Sequence, residues 1–121
     1  QTAKNCGVKN FDKFHNAGYR GLYNSETADD IAKRKKLRYR EDILDNMGSE
    51  ELIANLFRIS QTEAKLKKDN ISSERAANET HYNIGKNIRE VIAKNGGTMP
   101  EGLSTPKRSL KDLERDKKQL K

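Results

Sequence analysis

The sequence predicts an all-α fold, and three observations carry that prediction. The strong apolar repeats have helical spacing, as in Leu52, Ile53, Leu56, Phe57, Ile59 and Ala64, or Ala77, His81, Ile84, Ile88, Val91 and Ile92. No stretch sustains the period-two alternation and β-branched richness of a strand. Glycine and asparagine interrupt these segments at Gly7, Gly18, Gly48, Asp69-Asn70 and Asn95-Gly96-Gly97, where helices end. The expected architecture is a compact domain of about five to six helices, built around a long antiparallel helix hairpin, with a charged helix at the C-terminus.

In chain order, residues 1–9 read as the tail of a helix that starts upstream and closes at Gly7, and residues 10–95 as the helical core domain. Phe11 and Phe14 lie one turn apart on a short helix from about Asn10 to Ala17, followed by a loop, Gly18 to Tyr23. Ser25 is the expected N-cap of a helix reaching about Lys36, because Glu26, Asp29 and Asp30 complement its positive end and Lys33 to Lys36 its negative end. A further short helix is expected from Tyr39 to Asn46, stopping before Gly48.

Ser49 is the expected N-cap of the clearest helix, whose apolar face from Leu52 to Ala64 is expected to form the centre of the core. It ends at Asp69-Asn70, with Ile71 as a staple before a new N-cap at Ser72 and a second long helix to Asn95. Residues 96–106 hold three glycines and both prolines, a turn-rich connection. Residues 107–121 are expected to form the charged C-terminal helix, with Leu110, Leu113 and Leu120 as a sparse seam.

Composition narrows the function. The 25 Lys and Arg against 18 Asp and Glu leave a net charge of +7, which favours polyanionic partners. Leu, Ile, Val and Phe make up roughly a fifth of the chain, so the core must be thin. A single cysteine, Cys6, forms no internal disulfide, and no apolar run approaches the ~20 residues that span a bilayer. These features suggest a reducing, cytoplasmic setting without a membrane partner. Cys6, His15 and His81 have no metal-ligand spacing, and neither a Walker loop nor a nucleophile elbow occurs, so no metal, cofactor or small-molecule substrate is expected. His81, on an apolar stripe, reads as a hydrogen-bonded core residue.

The main functional signal is Lys33-Arg34-Lys35-Lys36-Leu37-Arg38-Tyr39-Arg40, six cations and no anion in eight residues, with a tyrosine that can stack on a base. The alternative is a solvated helix end. Arg20 lies between Tyr19 and Tyr23 on a glycine-flanked segment, which suits either stacking and partner contact or tyrosines packed against helices.

Several strings go beyond patterning: Ile43-Leu44-Asp45-Asn46-Met47-Gly48-Ser49-Glu50-Glu51-Leu52, Ala54-Asn55-Leu56-Phe57-Arg58, Gln61-Thr62-Glu63 and Lys65-Leu66. With them stand Gly18-Tyr19, Gly21-Leu22-Tyr23, Ala77-Asn78, Thr80-His81-Tyr82, Gly85-Lys86 and Gly96-Gly97-Thr98-Met99-Pro100-Glu101. From about Phe14 to Glu114 the chain resembles the C-terminal part of the DNA-damage-inducible protein D family. The resemblance implies a LexA-controlled factor of the SOS response that antagonises RecA filaments on single-stranded DNA without catalysis. It also implies an N-terminal half similar to BRO-type DNA-binding domains.

Within these strings Asn55, Arg58, Gln61, Asn78 and Lys86 are expected to line a shared surface for a protein partner or a second copy. The leading expectation is thus a non-enzymatic module that modulates RecA filaments. Its alternative is a dimerisation or partner-binding domain that positions the N-terminal reader, with the Leu110, Leu113, Leu120 seam as its distinguishing feature.

Overall fold

The computed structural model describes residues 2–38 and 42–106, and among them every regular element is helical. The order is α1 (Thr2–Asn5), α2 (Phe11–Leu22), α3 (Ala28–Arg34), a 3₁₀ turn at Leu44–Asn46, α4 (Ser49–Lys68), α5 (Glu74–Lys94) and a 3₁₀ turn at Pro100–Gly102. The expected helix at 39–46 is represented by its last 3₁₀ turn, and residues 39–41 lie outside the described residues. So does the expected C-terminal helix at 107–121, together with its leucine seam.

Helix ends follow local chemistry closely. Asn10 caps α2 by accepting from the Lys13 amide, Thr27 and Asp30 form a reciprocal capping box on α3, and Ser73 accepts from the Ala76 amide to cap α5. The caps on α3, α4 and α5 thus fall at Thr27, Gly48 and Ser73 rather than Ser25, Ser49 and Ser72, and Gly48 supplies no side-chain bond. Ser25 instead adopts φ +82 in the turn after α2. At the far ends, Gly7, Asn70 and Gly96 take left-handed backbone while the next amide reaches back to the helix, Val8 to Ala3, Ile71 to Leu66 and Gly97 to Ile92. Ile71 also packs against the cluster containing Leu66, fixing the turn between α4 and α5.

The most intimate helix pair is α2 on α5, and this corrects the expected loop at Gly18 to Tyr23. Helix α2 continues through both glycines because they are packing sites. A Cβ at Gly18 would stand 2.2 Å from His81 Nε2, one at Gly21 2.2 Å from the Tyr82 carbonyl oxygen, and one at Gly85 2.7 Å from the Gly18 carbonyl oxygen. Backbones meet where no side chain intervenes, so the three glycines set the crossing. The pairs Phe14–His81, Gly18–Gly85 and Leu22–Arg89 show that α2 runs parallel to α5. Helix α4 runs antiparallel to α5, with Leu66 near Ala77 and Arg58 near His81, which is the anticipated hairpin.

Two small apolar clusters flank this arrangement. Cys6, Val8, Phe14, Leu66 and Ala77 form one, and Tyr19, Leu22, Tyr23, Ile31 and Met47 the other. Helix α4 is turned opposite to the expected sense. Its buried residues are Glu51, Asn55, Arg58, Thr62 and Leu66, while Ile53, Leu56, Phe57 and Ile59, expected at the centre of the core, are exposed. The buried stripe repeats at intervals of four, three, four and four, which is helical spacing in polar residues.

Candidate nucleic-acid and partner surfaces

The cationic run begins on α3, whose first turn carries Asp29 and Asp30 and whose last carries Lys33 and Arg34. The run does not act as one surface. Arg34 binds Glu26 through Nε (3.0 Å) and Nη2 (3.1 Å) and lies over the Tyr23 ring, 5.8 Å from its centroid. Lys35 turns inward, its side chain fully buried, and donates from Nζ to Glu51 Oε1 (2.7 Å) and Thr105 Oγ1 (3.2 Å). The expectation that Arg34 and Lys35 meet nucleic acid is therefore corrected, because carboxylates within the fold engage both. Lys33, Lys36 and Arg38 are exposed, and Tyr39 and Arg40 lie outside the described residues.

Lys36 has a second distinction. It holds left-handed backbone, φ +59, while the Leu37 amide reaches back to the Ala32 carbonyl at 3.0 Å. This is the same helix ending that uses glycine or asparagine at the other three sites, and a lysine there is less favourable by about 1–2 kcal/mol than in right-handed backbone.

From Lys35 a polar chain runs into the core. Glu51 accepts from Lys35 at one oxygen and from the Tyr23 hydroxyl at the other. Asn55 donates to the Tyr23 hydroxyl (2.9 Å) and accepts from Arg58 Nη2 (3.1 Å). Arg58 Nη1 donates to His81 Nε2, and His81 Nδ1, facing the Phe14 carbonyl at 2.8 Å, must be the ring's donor. The Arg58 guanidinium also lies 4.7 Å from the centroid of the Tyr19 ring.

This network corrects four partner-surface expectations at once. Tyr19, Tyr23, Asn55 and Arg58 are all buried, Asn55 at 0% and Arg58 at 2% exposure: hydrogen bonds join Tyr23, Asn55 and Arg58, the guanidinium covers the Tyr19 ring, and Arg58 Nε is buried without a hydrogen-bond partner. Burial, the Glu51 contact and its charge raise the Tyr23 hydroxyl well above its ordinary pKa. Burial and the adjacent Arg58 charge push the His81 imidazole down to about 3, and burial lowers the Arg58 guanidinium itself. His81 is the hydrogen-bonded core histidine that its position suggested. The signal for the rest was the polar stripe from Glu51 to Thr62 at helical spacing.

The remaining motif residues occupy separate surfaces. Gln61 lines a groove between α4 and α5 with Phe57, Ile84, Ile88 and Val91, whereas Asn78 and Arg20 line a cleft between α2 and α5. Lys86 is exposed on α5. Arg20 and Lys33 both act on Asp30, which is held low chiefly by its bonds to Thr27. Among the described residues no group of three or more His, Cys, Asp or Glu could hold a metal ion, and no helix is long and apolar enough to cross a membrane.

These features define an all-helical domain with a polar chain through its core, exposed cations at and just after the end of α3 and an exposed apolar face on α4. The chain belongs to the DinD C-terminal domain family, whose profile matches residues 1–113. It is 48% identical over 117 residues to DNA damage-inducible protein D of Escherichia coli (strain K12), an alignment covering 94% of this chain and 43% of that protein. The chain therefore spans less than half the length of this relative. No solved structure matches it.

Proposed function

We propose that this chain is a non-catalytic binding module of the bacterial DNA-damage response that engages RecA filaments on single-stranded DNA and weakens them. The observation that carries the reading is family membership, with 48% identity to a protein named for induction by DNA damage. The surface chemistry supports it. Lys33, Lys36 and Arg38 are exposed close together in sequence, the net charge is +7, and Lys36 occupies a left-handed position better suited to glycine. Strain retained at a charged, exposed residue is characteristic of a functional position. Single-stranded DNA in a RecA filament offers the complementary phosphates, and the setting proposed is the cytoplasm.

The test is assembly of RecA on labelled single-stranded DNA, followed by addition of this chain. Loss of filament signal is expected with the native chain, and clearly reduced loss with Lys33→Glu combined with Arg38→Glu. Filaments unaffected by the native chain at any concentration would exclude the reading. A second reading, a domain that positions an N-terminal BRO-like DNA-binding region, is favoured by the apolar face of α4. It predicts partner association without an effect of the cations.

A further inference from the structure

Helix α4 places its polar stripe inward, so its apolar residues point away from the domain. Ile53 is 66% exposed, Leu56 50% and Phe57 53%, and Val91 on the neighbouring helix is 56% exposed. Ser60 and Ala64, also exposed, continue the same face toward the C-terminal end of the helix. Beside Phe57 a groove of about 280 Å³ opens between α4 and α5, floored by Ile84, Ile88 and Ile92. Both a ridge and a groove thus lie on one patch, as an isologous contact requires.

We infer that this face is the interface of a homodimer in which α4 packs antiparallel against α4 of a second copy. Charge selects the partner and the direction. Glu50 in the first turn and Lys68 in the last are eighteen residues apart, five full turns, so they share one azimuth, about 20° from that of Phe57 and along the edge of the apolar face. Antiparallel pairing brings Glu50 of each copy to Lys68 of the other, whereas parallel pairing would set like charge on like charge. Size agrees with charge. About a two-fold axis near Ile59 and Ser60, the large residues Ile53 and Phe57 face the half of the second helix that holds Ser60 and Ala64. The helix is about 30 Å long, and with the edge of α5 beside it, each helix ~10 Å wide, the face offers roughly 600–800 Å². One side of a standard protein interface is about 800 Å². The inference concerns a different face from the exposed cations and stands whether or not they bind DNA.

Light-scattering mass across a concentration series tests this directly on the 121-residue chain. The expected mass rises to twice the 13.8 kDa of one copy. Ile53→Asp with Phe57→Asp should give one copy at every concentration while leaving helicity close to native, since both side chains are exposed on a single copy. Glu50→Lys alone should weaken association by about tenfold or more, and adding Lys68→Glu should restore it to within a few-fold of native, which also decides the matter if the aspartate variant fails to fold. A native chain of one-copy mass throughout overturns the inference. So does a dimer indifferent to these substitutions, or a dimer that forms only once residues 107–121 are removed, which would mean that the tail itself covers the face.

Discussion

Glu51 is the residue on which the interior depends most. It accepts from the buried Lys35 ammonium at one oxygen and from the Tyr23 hydroxyl at the other. Removing one member of a buried ion pair leaves the other charged and dry, a cost of about 3–5 kcal/mol, whereas replacing both by apolar residues is often neutral. Urea unfolding of Glu51→Leu should show that loss, and Glu51→Leu combined with Lys35→Met should recover most of it.

His81 gives the interior a pH dependence. Its imidazole is neutral in the fold down to about 3 but takes up a proton near 6.5 when unfolded, so the unfolded state binds more protons between those values. Stability is therefore fully present above about 6.5 and falls as pH drops toward 3, by at most a few kcal/mol. Unfolding midpoints between pH 7.5 and 4.5, above most carboxylate titration, should decline in the native chain and decline less in His81→Gln, where His15, also held low by burial, still contributes. Lys36 offers a third residue test. Lys36→Gly should raise stability by up to about 1 kcal/mol, by relieving left-handed strain, and should weaken DNA binding at the same time.

At the scale of elements, the crossing of α2 and α5 admits little tolerance. Gly85→Ala would drive a methyl group to 2.7 Å from the Gly18 carbonyl oxygen and 2.9 Å from the Leu22 nitrogen, both backbone atoms within a helix. The helices must separate, at a cost of several kcal/mol by overpacking. Gly48→Ser, whose added carbon finds its nearest neighbour at 3.7 Å and which supplies a favoured N-cap, should change stability by only a few tenths of a kcal/mol. Thermal melts of the two variants compare the claims directly.

The glycine crossing also shows where sequence reading reaches its limit. Helix class, the extents of α4 and α5 and their left-handed endings were legible, since capping and spacing are local. Gly18 and Gly21 looked like helix breakers, because their purpose is contact with a helix some 65 residues away. Helix α4 was misoriented for a related reason. Apolar spacing identifies an amphipathic helix without saying which face turns inward. Here Asn55 and Arg58 are matched by Tyr23 and His81, partners 32 and 23 residues distant. In the cationic run, density was legible but pairing was not, so Lys35 and Arg34 were counted among the free charges.

Over the whole molecule, the sparse apolar core and the charge of +7 fit a domain completed by other macromolecules. Its two outward chemistries lie apart, cations at and just after the end of α3 and apolar side chains on α4, so DNA contact and self-association are separable by substitution. The proposed nucleic-acid contacts are the exposed Lys33, Lys36 and Arg38, and not Arg34 or Lys35, which carboxylates hold within the fold.

Affinity for labelled single-stranded DNA, titrated across a range of salt, separates these two sets of cations. If Lys33, Lys36 and Arg38 each neutralise one phosphate, the log–log slope is about −2. That slope should shrink toward zero in the triple glutamine variant while Arg34→Gln leaves it nearly unchanged. Binding that ignores salt, or a slope untouched by the triple substitution, would rule out contact through these three residues.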